Sequence, residues 1–214
     1  LSGYSLSRGL SSRLSSPFAL RVSATKVNND DFNDHEISSQ ALQWTFTTRA
    51  IPYSKQQYEN GVKILILEES REDPRSLNFL KSSDLLDRSQ AMNAIESHAV
   101  FEGIWLNKQG ELMEGTKTNL FIVDNGTIYT PSLSSGCLAG TRREIIRTIS
   151  KEQGIPFYEK VICPEELHKA EEVFLTNSLM GIMPVHQAGN TTFTVRALNG
   201  EDSNGITSLL SKEL

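Results

Sequence analysis

Apolar and polar residues alternate with a period of two over residues 19–25 and 41–47, and 61–67 is a strand-like, mostly apolar run, which predicts three strands in the first third of the chain. Pro52 and polar residues separate the second from the third, and together the three suggest the end of a small sheet domain. The polar run 68–74, closed by Pro74, reads as a loop. From Ser82 to about His98 the apolar positions Leu85, Leu86, Met92 and Ile95 take mainly helical spacing, with Ser82 or Ser83 as a cap, so this helix starts directly after Lys81.

A meander of short strands follows: 103–106, a turn at 108–110, Leu112, 119–123 closed by Asp124-Asn125-Gly126, and 127–130 up to Pro131. The glycine-rich turn 136–140 opens a helix whose apolar stripe includes Ile145, Ile146 and Ile149 and which ends near Gly154 and Pro156. Residues 157–162 then read as a strand, 164–170 as a short helix and 172–176 as another strand. The interleaving predicts a mixed α/β (α+β) fold with a shortened N-terminal subdomain, 1–74, and a larger domain, 75–214. The G-x-G-x-x-G fingerprint of a doubly wound nucleotide fold is absent, as are internal repeats.

Composition narrows the function classes. A formal net charge of −5 over 214 residues lacks the basic field of a nucleic-acid or anionic-membrane binder, and no apolar run approaches a bilayer span. Cys137 and Cys163 form no C-x-x-C pair and sit near no histidine at ligand spacing, which points to structural thiols in a reduced, cytoplasmic compartment and to no metal. His35, His98, His168 and His186 are scattered. Residues 1–29 contain no acid and crowd serine with Arg8 and Arg13, as an organellar transit peptide does. The absence of an initiator Met and the strand pattern at 19–25 favour instead a chain that begins inside a larger protein.

Three ordered blocks carry a resemblance. Glu114-Gly115-Thr116-Lys117-Thr118-Asn119-Leu120-Phe121 is similar to an E-G-x-x-x-N-L-F pattern. Thr130-Pro131 followed by Gly136-Cys137-Leu138-Ala139-Gly140-Thr141-Arg142-Arg143 is similar to T-P... G-x-L-x-G-x-x-R. Glu172-Val173-Phe174-Leu175-Thr176-Asn177-Ser178, then Met183-Pro184-Val185, is similar to E-V-F-x-T-N... P-V. All three patterns are those of the fold-type IV, aminotransferase class IV family, and the resemblance runs from about Val62 to the C-terminus.

The resemblance implies pyridoxal 5′-phosphate as cofactor, a small amino substrate and a homodimer. Alignment without gaps back from Glu114 through Glu102-Gly103 puts the family's Schiff-base lysine on Lys81. Arg75-Ser76-Leu77-Asn78-Phe79 imitates the family's K-S-L-N-Y run, but with Arg in place of Lys and an insertion before Glu102. Glu114 matches the carboxylate that faces the pyridine nitrogen. Gly140, Thr141 and Arg142 open a helix, whose free N–H groups suit a phosphate, and Asn177 with Ser178 forms a second cradle after Thr176.

Two features depart from the pattern. Leu85 and Leu86 stand where a Tyr or Arg often follows the lysine, and Arg13 in Ser11-Ser12-Arg13-Leu14 lies too close to Arg21 for the usual N-terminal domain to fit between. Among the family's chemistries the texture of the blocks favours β-elimination of 4-amino-4-deoxychorismate to 4-aminobenzoate and pyruvate. The alternatives are transamination of branched-chain or D-amino acids, and a non-catalytic member of the family.

Overall fold

The computed structural model describes residues 18–26, 42–71, 85–195 and 205–213. The chain divides into two units, Leu1–Pro52 and Tyr53–Leu214. In the first, β1 (Phe18–Lys26) pairs antiparallel with β2 (Leu42–Ala50), with Leu20 opposite Thr48 and Val22 opposite Phe46. Residues opposite one another share a face, so Leu20, Val22, Trp44 and Phe46 form an apolar side and Arg21, Ser23, Thr45 and Thr47 a polar one.

The second unit begins with α1 (Lys55–Asn60), held by a capping box in which the Gln57 N–H donates to Ser54 Oγ and the Ser54 N–H donates to Gln57 Oε1. Gly61 stops it at φ 72°, where a Cβ would also lie 2.6 Å from Val195. The remaining elements are β3 (Val62–Arg71), α2 (Leu85–Ser97), β4 (Glu102–Asn107), β5 (Leu112–Gly115), β6 (Asn119–Asp124), β7 (Thr127–Pro131), α3 (Thr141–Glu152), β8 (Phe157–Lys160), α4 (Pro164–Leu167), β9 (Glu172–Asn177), β10 (Gly181–Ala188), β11 (Thr191–Thr192) and α5 (Ile206–Lys212).

The strands form one sheet in the order β5-β4-β3-β10-β9-β6-β7-β8, with β11 on β10. This sheet curls until its ends meet: the Leu112 N–H of β5 donates to the carbonyl of Ile162, just past β8, at 2.8 Å. Alternate residues of nearly every strand, from Ile64 and Ile104 to Leu120, Leu175 and Met183, fill the inside of the curl. On the outside, α3 and α5 cover Phe121, Val123, Ile128, Phe174 and Ile182. The Phe121 and Phe174 rings, directly opposite in β6 and β9, stack 4.7 Å apart. Elsewhere on the outer face, α2 covers Leu67, Trp105 and Met113 with Ala91 and Ala94.

The mixed α+β class is as the pattern predicts, with several differences in detail. Residues 68–71, read as loop, continue β3, because Ser70 and Arg71 pair with Leu106 and Asn107 of β4. β3 belongs to the large sheet, within the unit that starts at Tyr53. Ile145 is exposed; the buried stripe of α3 is Arg143, Ile146, Ile149 and Ser150. The short helix at 164 stops at Leu167, and Ser82 and Ser83 lie outside the described residues. β10 carries Pro184, which fits because it precedes Val185, where pairing with β3 begins. Among the described residues no helix is long and apolar enough to cross a membrane.

Glu172, at the start of β9 and nearly buried, accepts from the Ile206 and Thr207 N–H groups at 3.2 and 3.0 Å and so caps α5. Replacing Glu172 with Ala strands both donors and is expected to cost about 1–3 kcal/mol in urea unfolding. An unchanged midpoint would show that α5 docks through its apolar face alone.

Candidate functional site

The candidate site gathers where β5, β6 and β9 meet the glycine turn before α3. Glu114 is half-buried on β5, and its Oε2 accepts from the Leu138 N–H at 2.9 Å. The Leu138 carbonyl in turn accepts from Asn119 Nδ2 and from the Gly140 N–H, both at 2.9 Å. Thus one residue of the turn ties together the carboxylate, the first residue of β6 and the cap of α3.

Gly140 is obligatory here for lack of space, not for backbone freedom: its φ is −69°, but a Cβ would lie 2.0 Å from Asn119 Oδ1. It caps α3 with no side-chain bond, and the first N–H groups of a helix have no intrahelical acceptor. Thr141 in this first turn is exposed and Arg142 half-buried. The neighbouring Arg143 is turned inward, donating Nη1 to Glu159 Oε1 and Nη2 to the Pro131 carbonyl, both at 3.0 Å. Across the sheet, Asn119 pairs with Thr176, whose Oγ1 is buried with no hydrogen-bond partner among the described residues.

Asn177 builds the β9–β10 turn. Its Oδ1 accepts from the Leu179 and Met180 N–H groups at 3.0 and 2.8 Å, and its Nδ2 donates to Tyr53 Oη at 3.2 Å. The Tyr58 hydroxyl donates to the Met180 carbonyl at 2.8 Å, so two tyrosines fasten this turn, and burial with Tyr53 nearby raises the Tyr58 pKa. Ser178 is exposed beside it. Lys81, the expected Schiff-base residue, lies outside the described residues.

Local sequence pattern gives Glu102 no role of its own in the site and marks neither Tyr53 nor Tyr58. Glu102 is fully buried at the start of β4 and binds the β5–β6 turn through Thr116 and Thr118. An acid directly before a buried strand, flanked later by two threonines, was the available signal. Among the described residues, no group of three or more His, Cys, Asp or Glu side chains is placed to hold a metal ion.

The model of the family described as Amino-transferase class IV matches residues 12–188. The chain is 34% identical over 135 residues to the branched-chain-amino-acid aminotransferase of Escherichia coli, covering 59% of this chain and 42% of that protein. The crystal structure of a branched-chain aminotransferase from Thermoproteus uzoniensis is 26% identical, with a TM-score of 0.70, over 92% of this chain and 63% of that one. A Legionella pneumophila structure provisionally assigned as a 4-amino-4-deoxychorismate lyase is 27% identical, with a TM-score of 0.68, over 82% and 63% of the two chains. The chain spans about half the length of the curated relatives it matches.

Two predictions follow from the packing of the turn. Gly140→Ala forces Asn119 aside and is expected to cost about 1–3 kcal/mol, whereas in an Asn119→Ala background the same change costs little. Additive losses in denaturant melts would deny the contact. Burial pushes the Cys137 thiol up to about 12, Arg143 pulling it back and Glu114 and Glu159 adding to the rise. Cys137 therefore stays a neutral thiol from pH 6 to 9. Titration with a thiol reagent at pH 8 should label exposed Cys163 at once and Cys137 only on unfolding.

Proposed function

Because the chain belongs to the class IV aminotransferase family, whose members depend on pyridoxal phosphate, we propose that it holds this cofactor and acts on a small amino substrate. The observation that carries the reading is the junction of Glu114, Leu138, Asn119 and Gly140 at the start of α3, with the buried Thr176 Oγ1, which has no partner among the described residues, beside it. A ring nitrogen facing Glu114 and a phosphate facing the first turn of α3 suit these groups.

Within this reading Gly140, Thr141 and Arg142 hold the phosphate with helix N–H groups and the guanidinium. Ser178 adds a hydroxyl, and Asn177, whose amide oxygen is committed to its own turn and whose amide nitrogen donates to Tyr53, holds that hydroxyl in position. Glu114 keeps a proton on the pyridine nitrogen, and Lys81 supplies the amine that anchors the cofactor and moves the substrate's Cα proton. When bound, pyridoxal phosphate supplies an electron-accepting ring that acidifies the Cα–H bond.

Branched-chain transamination is the reading that the named sequence relatives support. Pyruvate-releasing cleavage of 4-amino-4-deoxychorismate stands second, supported by the Legionella structure. Amino transfer that requires a 2-oxo acid identifies the first; 4-aminobenzoate released without an acceptor identifies the second.

Borohydride reduction of the cofactor-loaded chain is expected to tag Lys81, with Lys63 and Lys117 unlabelled, and the tag should vanish in Lys81→Ala. A tag on another lysine would move the role elsewhere. Glu114→Gln should keep the tag while turnover falls about 30- to 1000-fold, the loss of one charge-assisted contact of about 2–4 kcal/mol.

A further inference from the structure

We infer that Glu102 is the positioning residue of the cofactor site: its buried carboxylate fixes the β5–β6 turn and thereby aims Glu114 and Asn119 together at the glycine turn before α3. The inference rests on the functional reading above for what the site holds, but its geometry stands on its own.

Glu102 has no exposed surface. Its Oε1 accepts from the Gly103 N–H at 3.1 Å, the Thr116 N–H at 3.1 Å and the Thr116 hydroxyl at 2.6 Å, and its Oε2 accepts from the Thr118 hydroxyl at 3.2 Å. A buried carboxyl is costly unless its oxygens are satisfied, and here nearly all the satisfaction comes from one short turn. That turn is closed by the Gly115 N–H donating to the Thr118 carbonyl at 2.8 Å. Gly115 leaves the space: a Cβ there would lie 2.2 Å from Thr118 Oγ1 and 2.8 Å from Glu102 Cγ.

The residues on either side of this closed unit are the two that bind the glycine turn. Glu114 immediately precedes Gly115 and accepts from Leu138 N–H; Asn119 immediately follows Thr118 and donates to the Leu138 carbonyl. A shift of the turn therefore moves both at once, and small displacements in a preorganised site are expensive. An apolar residue at 102 would fill the same space without holding the turn. Only Lys117 points out of the unit, its Nζ 4.9 Å from the centre of the Phe101 ring.

The test compares Glu102→Ala, Glu102→Gln and the double variant Thr116→Val/Thr118→Val as full chains. Glutamine can keep its carbonyl toward Gly103 and Thr116 and donate its amide to Thr118, so it is the conservative rescue. Pyridoxal phosphate titrated by absorbance should bind about tenfold or more weakly to Glu102→Ala and to the double variant, and near wild-type strength to Glu102→Gln. Amide exchange in the cofactor-free chains should rise at 115–119 and not across the sheet. Adding Glu114→Gln to Glu102→Ala should weaken binding little further, because the first change has already misplaced Glu114.

A folded Glu102→Ala or double variant that binds within twofold of wild type overturns the proposal. Should Glu102→Ala fail to fold, the double variant, which keeps the carboxyl and both backbone donors, decides it by the same titration. If the wild-type chain takes up no cofactor, the functional reading fails, and exchange at 115–119 alone then decides the clamp, unchanged exchange overturning it.

Discussion

The curl of the sheet, closed by the hydrogen bond from the Leu112 N–H to the Ile162 carbonyl, is the constraint on which everything else depends. β5 stands first in the strand order and β7, from which the glycine turn issues, stands seventh. In a flat sheet those six spacings would separate them by about 29 Å. Yet Glu114 on β5 accepts from Leu138, seven residues past the end of β7, at 2.9 Å. The curl brings a carboxylate from one end of the sheet beside a helix start from the other.

Inside the curl the contacts are apolar and period-two, and outside it three helices cover the faces that would otherwise meet water. Three of the buried polar side chains are used as fasteners. Glu102 ties the β5–β6 turn, Glu172 caps α5, and Arg143 bridges Glu159 and the Pro131 carbonyl. Each joins segments distant in sequence, so removing one partner strands buried donors or acceptors, which is costlier than losing an exposed pair. The exposed Glu144–Arg147 pair within α3 is of the latter kind.

The glycines of the site act through their missing side chains. Gly140 yields to Asn119 Oδ1 and Gly115 to Thr118 and Glu102, so backbone approaches that a Cβ would forbid become the route by which β6 reaches α3 and β4 reaches the β5–β6 turn. This links the motif residues to the fold: the E-G and G-T pairs are close-packing requirements as much as chemical ones. It also ties the candidate cofactor groups to parts of the sheet that sequence patterns treat as ordinary core.

By itself the sequence determined the element order from β4 to β9, the mixed α+β class and the three blocks that assign the family, because strand alternation, glycine turns and short motifs are local properties. It also singled out Glu114 and Gly140, which the fold brings to one turn residue. Tertiary structure alone decided that β3 lies in the centre of the large sheet, since pairing with β10 and β4 is a non-local choice that residues 61–71 do not encode. It likewise decided that Arg143 and Asn177 bond to the scaffold, and that Glu102 and Tyr53, unremarkable in sequence, hold the turns of the candidate site. A side chain's partners depend on how strands far apart in sequence register and curl, and no local pattern carries that information.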